Sequence, residues 1–535
     1  MGFRVNSAGK VDQSHFARVP PVKMPPRSTF DRSFPHKTTV NEGYLYPIVW
    51  LPLLPNDTVN LTVNALIRLL TPIFPYMDNL YADFHAFFVP NRLVWDKWER
   101  FQGAQPNPGD TTEFEVPSLD DATHAAGFAS LSIYDYFGLP TKVANVPQAD
   151  MPIALPLRAY NLIWNEWYRD QDLQNSLTVD TGDGPDTTAY ALQRRNRRKD
   201  YFSSARPWPQ KGNAVTIPIG GTAPISYLNP SHNATRVLNP TTGNPYGTNQ
   251  ALYQAVAGNM FNDAVGNPPV AVDLNGTHIA DLDAASAQVT INALRQAIVL
   301  QQILELDART GTRYVEALLA RFGAVSPDFR LQRPEYVGGQ TVDINVNPVA
   351  QTAATDATSP QGNLAAFAVG RGKAPLHYSA SEHGQFLVLM SIRADTTYQQ
   401  GLRRDWSVRT RYDYYEPLQA NLGESPILNK EMLLKGDSTD NDAWGYQEMW
   451  ADQRYYPGYV TGAFRSNYTG TLDSWHLALD QGSTRTSLSS LLPESPPVAR
   501  IVAVEDEPHF NVDTWNRLKH TRVMPVYSAP GLFRL

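Results

Sequence analysis

Apolar and polar side chains alternate in several places along this 535-residue chain, and each alternating run is long enough to make a strand. Leu80, Ala82, Phe84, Ala86 and Phe88 alternate with Tyr81, Asp83, His85 and Phe87, a period of two that puts the first set on one face of a sheet. From Gly43 to about Arg68 the chain is apolar, with β-branched and aromatic residues of strand type. The runs 385–393 (QFLVLMSIR), 408–415 (VRTRYDYY) and 500–506 (RIVAVED) also have strand length and composition, the first apolar on both faces. These predicted strands lie far apart in sequence, so long connections must join them.

Three helical patterns fall between the strands. In residues 157–173 (LRAYNLIWNEWYRDQDL), Tyr160, Ile163, Trp164 and Trp167 recur at helical spacing and predict a buried aromatic stripe. From about Asp281 to Arg309 apolar residues surround the helix axis, so this helix needs neighbours on several sides. The third, RYVEALLARFG, stacks Tyr314, Leu318 and Phe322 and ends at Gly323, a residue suited to a helix C-cap.

The segment from Gly212 to Thr290 has another character. Its one basic residue is Arg236, and Asn, Gly, Pro, Thr and Ala dominate, which predicts a loop-rich surface insertion. Thr341 to Gly370 is similarly bland and reads as a second long loop. Residues 1–40 carry seven cations, among them Lys10, Arg18, Lys23 and Arg27, against Asp12 and Asp31, and read as an extended basic arm. The chain then divides into this arm, a first part of a β core with a helical insertion (41–211), the surface insertion (212–290), the rest of the core (291–514) and a tail (515–535). Separated strands with long insertions suit a mainly β sandwich of jelly-roll type, which closes its own core and tolerates additions at strand ends. That fold serves lectins, cupin-like enzymes and viral shells alike, so it leaves function open.

Composition narrows the chemistry. With no cysteine, disulfides, thiolate catalysis and Cys-ligated metals are excluded. No apolar run reaches the ~18 residues of a membrane span. The eleven histidines show neither HExxH nor a paired His-x-His, and no phosphate-binding glycine loop occurs, so no metal, cofactor or catalytic set is expected. His85 near Asp83, His383 beside Glu382, and the carboxylates Glu166, Asp170 and Asp172 read as ordinary hydrogen-bonded or ion-paired groups. A net charge of −7 gives no global pull on a polyanion, so any basic function is local. The run RRNRRKDYF, with Arg194, Arg195, Arg197, Arg198 and Lys199, could grip phosphates, make salt bridges or stay solvated. Lys10, Arg18, Lys23 and Arg27 in the arm, and Arg517, Lys519 and Arg522 beside Trp515 in the tail, are the candidate contacts to single-stranded nucleic acid. A tail packed across a neighbouring subunit would explain the last group equally well.

Several longer runs carry a resemblance. FDRSFPHKTTVNEGYLYPI (30–48), DNLYADFHAFFVPNRLVW (78–95), LRAYNLIWNEWYRDQDLQ (157–174), DYFSSARPWPQKG (200–212), ARTGTRYVEALLARFGAVSPDFRLQRPEYVGG (308–339) and DSWHLA (473–478) resemble the major capsid proteins of microviruses, specifically the gokushovirus group. The resemblance implies an eight-stranded viral jelly roll whose copies form a T=1 icosahedral shell around circular single-stranded DNA. It also implies that the 212–290 insertion makes a protrusion at the three-fold axes with a role in host attachment, although no matching run falls within it. Implied partners are further copies of the chain, the genome, a small DNA-binding protein, a scaffolding protein, a DNA pilot protein and a host receptor, without membrane insertion. The chain would be made and assembled in the bacterial cytoplasm and reside in the virion. The alternative from the residues alone is a carbohydrate-binding jelly roll of lectin or tail-spike type.

Overall fold

The structure, a computed structural model, describes residues 26–213, 215, 225–227, 236–238, 252–254, 260–262, 271–273, 278–280, 291–309, 332–352, 355, 360–420 and 422–527. The chain forms two compact units, one from residues 1–209 and 312–535 and the other from 210–311.

Nine strands of the first unit are numbered here in chain order. They are β1 (Arg27–Asp31), β2 (Phe34–Val40), β3 (Tyr46–Leu53), β4 (Thr58–Leu69), β5 (Leu80–Pro90), β6 (Glu335–Ala350), β7 (Leu364–Ser379), β8 (Gly384–Ala394) and β9 (Phe510–Val523). All their pairings are antiparallel, in the order β1, β9, β4, β7, β6, β5, β8, β3, with β2 beside β1 on the same edge of β9. The order resolves into two sheets, β1/β2–β9–β4–β7 and β3–β8–β5–β6, if β1 and β2 count as one broken strand. This is the eight-stranded jelly roll, in which neighbours in the sheet are distant in sequence. A single hairpin links the sheets: residues 344–350 of β6 pair with 364–370 of β7, while the bases of both strands splay apart to β5 and β4.

One core cluster holds Ile48 and Leu51 from one end of the strand order and Phe510 and Leu518 from the other, so the sheet curls around a common interior. The alternation in β5 sends Leu80, Ala82, Phe84, Ala86 and Phe88 into it. The other face of β3, β5 and β8 is covered as well. Phe87, Val89, Leu387 and Leu389 bury against Trp95, Leu119, Tyr160 and Ile163 from the insertion that follows β5. That two-sided cover is why β8 is buried at every position and reads as an unbroken apolar run. The insertion's main helix, α1 (Leu155–Ile163), continues as a π-helical turn over Trp164–Tyr168 and stops there, short of the predicted end. Tyr160 and Trp164 of its aromatic stripe are buried, but Trp167 stays exposed.

The structure corrects four expectations. Residues 341–370 are not a loop but most of the β6–β7 hairpin, because backbone pairing to β4 and β5 fixes a sequence too bland to signal a strand. The run 408–415 contains a 3-10 turn at Arg411–Asp413, where the Asp413 carboxylate accepts the backbone N–H groups of Arg409 and Thr410 and holds the chain bent. The run 500–506 is a 3-10 turn followed by an isolated bridge from Val502 to Pro72, with residues 503–507 exposed. Residues 27–40 and 515–523, read as parts of an arm and a tail, lie in β1, β2 and β9 and pair with each other.

In the second unit, Ile225–Tyr227 pairs with His278–Ala280, Arg236–Leu238 with Ala271–Asp273, and Leu252–Gln254 with Met260–Asn262, all antiparallel. The pairs are nested, as in one interrupted ribbon. A helix, α2 (Ile291–Arg309), follows. The predicted helix around Tyr314–Phe322 lies outside the described residues. No helix among the described residues is long and apolar enough to cross a membrane.

Candidate nucleic-acid interface

Eleven tryptophans occur in the chain, and only Trp167, Trp406 and Trp515 are strongly exposed. Trp95, Trp164 and Trp450 are buried and Trp208, Trp444 and Trp475 half-buried, so these six serve mainly as packing. The three exposed indoles each mark a different surface.

Trp515 stands on the outer face of the β1/β2–β9–β4–β7 sheet. In β9, Phe510, Val512, Thr514, Asn516, Leu518 and His520 point inward while Asn511, Asp513, Trp515, Arg517 and Lys519 face solvent. Register extends the pattern sideways. Lys519 lies beside Asn60 and then His377, Arg517 beside Thr62 and Pro375, Trp515 beside Asn64 and Lys373, and Asp513 beside Leu66 and Arg371. Arg68 completes the next row beside Asn511. Five exposed cations, Arg68, Arg371, Lys373, Arg517 and Lys519, thus surround an indole that is 49% exposed. Two exposed carboxylates share the strands: Asp513 is paired with Lys37 at 2.9 Å, and Asp31 is occupied by the hydroxyl and N–H of Ser33. The Ser33 hydrogen bonds, aided by Lys519 and Arg517, hold the Asp31 carboxyl below its usual range. Unlike the outer face of the partner sheet, this one meets the insertion only at one end, where Leu131, Asp135 and Tyr136 share a cleft with Leu66, Arg68 and Asp513, while Arg371, Lys373, Trp515, Arg517 and Lys519 stay exposed.

The sequence candidates divide on this surface. Arg517 and Lys519 project from it. Arg27 sits at its end, donating to the Asn56 carbonyl and the Thr58 hydroxyl, both at 2.8 Å. Arg522 is committed inward, with Nη2 2.5 Å from the fully buried Asp57 carboxylate, which His520 Nε2 also meets at 3.0 Å. Burial and the neighbouring Arg522 keep His520 below its ordinary pKa, so it meets Asp57 as a neutral imidazole. Lys10, Arg18 and Lys23 lie outside the described residues. Arg68, Arg371 and Lys373 were missed, since only strand register brings them to β9; the alternation from Arg371 through His377 was the available signal.

Trp167 rims a cleft of about 420 Å³ lined also by His85, Tyr168, Arg169, Arg195 and Tyr336. Here the RRNRRK run proves to be mostly internal bracing. Arg195 and Arg393 clamp Asp83 at 2.6 and 2.8 Å, and the Thr341 hydroxyl donates to its other oxygen. Burial alone would raise the Asp83 carboxyl, but this ring of donors holds it at about 2. Arg194 donates to the Glu494 carbonyl, Arg197 to Thr396 and Lys199 to Asp170. Arg198 is exposed, and its carbonyl accepts from the Ser203 hydroxyl. His85 Nδ1 lies 2.8 Å from the Tyr168 hydroxyl, and burial together with Arg195 lowers its pKa to about 4, leaving it neutral. The Nε–H groups of Arg169 and Arg195 are buried without an acceptor among the described residues.

The remaining candidates for chemistry are structural. Asp170 and Asp172 pair with Lys199 and Arg206, and Glu382 receives Arg92. Among the described residues no three His, Asp or Glu side chains converge as metal ligands would.

Comparison with known proteins agrees with the architecture. Residues 17–532 match the family described as capsid protein (F protein). The chain is 46% identical to capsid protein VP1 of Bdellovibrio phage phiMH2K and 42% identical to capsid protein VP1 of Chlamydia phage 1, each across 98% of both chains. It is 35% identical to capsid protein VP1 of Spiroplasma virus 4 over 94% of this chain and 95% of the relative. These are structural proteins, and the enzymatic and lectin readings of the jelly roll give way. With a family match running nearly end to end and relatives aligned over their full length, the chain belongs to the capsid protein (F protein) family.

Proposed function

We propose that copies of this chain close a T=1 icosahedral shell around a circular single-stranded DNA genome, with the outer face of the β1/β2–β9–β4–β7 sheet turned toward that DNA. What supports the reading most is the conjunction of a capsid-family match with a jelly roll whose largely uncovered sheet face groups five cations around an open indole. Single-stranded DNA offers phosphates at irregular spacing and unstacked bases. Long flexible Arg and Lys side chains follow the first, and an exposed indole stacks on the second. Because the whole chain carries −7, the patch acts locally, and a small basic DNA-binding protein supplies the remaining neutralisation. Lys10, Arg18 and Lys23, which precede Arg27 in sequence, are proposed as further contacts to the same DNA. Arg522 contributes through the fold, by anchoring Asp57.

The 212–290 insertion is proposed to form the three-fold protrusion used in host attachment. Scaffolding and DNA pilot proteins act during assembly in the host cytoplasm, and the product resides in the virion.

The test is a chain carrying Arg371→Gln, Lys373→Gln, Arg517→Gln and Lys519→Gln, expressed with its phage companions. Shells should still form, with less nuclease-protected DNA. At roughly 0.7 per lost phosphate contact, the log–log salt dependence of DNA binding by the chain should flatten by about 3. Unchanged genome content and salt slope would remove the sheet face from the proposal. Wild-type particles lacking icosahedral symmetry in electron micrographs would remove the shell.

A further inference from the structure

The third exposed indole, Trp406, belongs to neither basic surface. Eight of the thirteen strongly exposed aromatic side chains among the described residues lie between Trp406 and Tyr468. Several are gathered in space as well as in sequence. Tyr415 meets the edge of Trp450 at 5.6 Å, and Tyr456 lies 6.1 Å from Tyr459. The Arg403 guanidinium sits 4.4 Å from the Tyr456 ring centre, and Trp406, Tyr456 and Tyr459 share the rim of a cleft of about 410 Å³.

A second observation falls on the same ledge. Of the eleven buried side-chain polar atoms without a hydrogen-bond partner among the described residues, four are here: Ser407 Oγ, Gln419 Oε1, Trp450 Nε1 and Asp452 Oδ1. Asp452 has only a long approach from Arg404, at 4.0 Å, on that oxygen. Buried polar groups are normally satisfied, and exposed aromatic patches of this size normally mark contacts. The exposed patch, with unmet polar groups lying beneath it, describes a surface that is unfinished in the single subunit.

The charges say what would finish it. Arg403, Arg404 and Arg465 line the cleft together with Asp405, Glu431 and Asp452, so the cleft carries no net charge. Arg403 is held by Asp405 at 2.5 Å and Arg404 by Glu431 at 2.8 Å. Such a balance gives a polyanion nothing to bind. It suits a protein surface of mixed polarity, and Trp, Tyr and Arg are the residue types that dominate binding energy at protein contacts. For a member of a capsid family the abundant neighbour is the same chain. We propose that the ledge from Arg403 to Tyr468 receives a second copy of this chain and is one of the subunit contacts of the shell. The inference rests on the shell reading above but can fail without it.

The experiment compares the full-length chain with a Trp406→Ala, Tyr456→Ala, Tyr459→Ala variant. These side chains are exposed, so circular dichroism and melting should match. By sedimentation velocity the variant's self-association should weaken at least about thirtyfold, the effect of even one central anchor. Independently, tyrosine-selective labelling of assembled particles and of dissociated subunits should find Tyr412, Tyr456 and Tyr459 protected only in particles. Crosslinks between light- and heavy-isotope copies should join the ledge to this same chain. Equal self-association, equal labelling in both states, or crosslinks that join the ledge only to a different protein would each overturn the inference. Icosahedral shells from wild type and variant alike would do so while leaving the shell reading intact. Association through the ledge without shell formation would do the reverse.

Discussion

Replacing Arg158 with methionine removes the most deeply buried cation of the insertion packed on the jelly roll. Its side chain is 0% exposed. Nε donates to Asp186 at 2.7 Å, Nη2 to Asp180 at 3.0 Å, and Nη1 to the carbonyls of Val94 and Gly182 at 3.1 and 2.9 Å. Methionine fills much of the volume but leaves a fully buried Asp186 carboxylate with only the neutral donors of Thr188, its N–H and side chain, and the Tyr190 hydroxyl. Breaking one side of a buried pair costs ~3–5 kcal/mol, and two unmet carbonyls add to it, so a loss of about 5 kcal/mol is expected. At ~1 °C per kcal/mol for a unit of this size, the melting temperature should fall by about 5 °C, read by scanning calorimetry. Adding Asp186→Asn should restore part of the loss, because the stranded charge is then gone. The pH dependence has a fixed sign. Burial raises the Asp186 carboxyl, but the donors from Thr188, Arg158 and Tyr190 pull it below its ordinary value. Its contribution is therefore present above the unfolded value of about 3.9 and fades as pH falls through the lower folded one. The gap between wild type and Arg158→Met should narrow in acid. A single variant melting within about 3 °C of wild type at neutral pH would refute this reasoning.

Gly43→Ala should prevent stable folding. Gly43 has φ +78°, its N–H and carbonyl bond Ile392 and Arg195 at 2.8 Å each, and a Cβ there would strike the Glu494 carbonyl, so a cost above ~3 kcal/mol is expected in soluble yield or melting. The His509 Nδ1–H donates to the Glu42 carboxylate at 2.8 Å, and that contact raises the histidine's pKa. Its stabilisation is full below the unfolded value of about 6.5 and lost as pH rises through the higher folded value; His509→Gln should flatten melting temperature against pH in that window, and an unchanged profile would count against the pair.

Much of the fold was legible where burial has a simple period. The β5 alternation and the two-sided β8 run follow directly from which faces are covered. The β6–β7 hairpin was hidden because its inward positions are small: Ala366, Ala368 and Ala374 are buried, and a Cβ at Gly372 would press into Val342. Close packing there demands the very residues that locally signal a loop. The opposite error befell 408–415, where tyrosines of strand type are exposed on the ledge and carry no sheet. Composition registers apolar area but not what covers it. Site residues followed the same rule. Trp515, Arg517 and Lys519 were visible as neighbours on one strand, whereas Arg68, Arg371 and Lys373 join them only through pairings between segments hundreds of residues apart.

The placement of β9 has a consequence for synthesis. This last strand lies between the first two and β4, with contacts such as Phe30 to His520 and Lys37 to Asp513 spanning almost the entire polypeptide. While the ribosome still holds β9, the sheet lacks the strand that joins β1 and β2 to β4, and those earliest segments have nothing to pair with. A nascent or truncated polypeptide without β9 therefore cannot complete its barrel, and competence to join neighbours is withheld until that strand is free to pair.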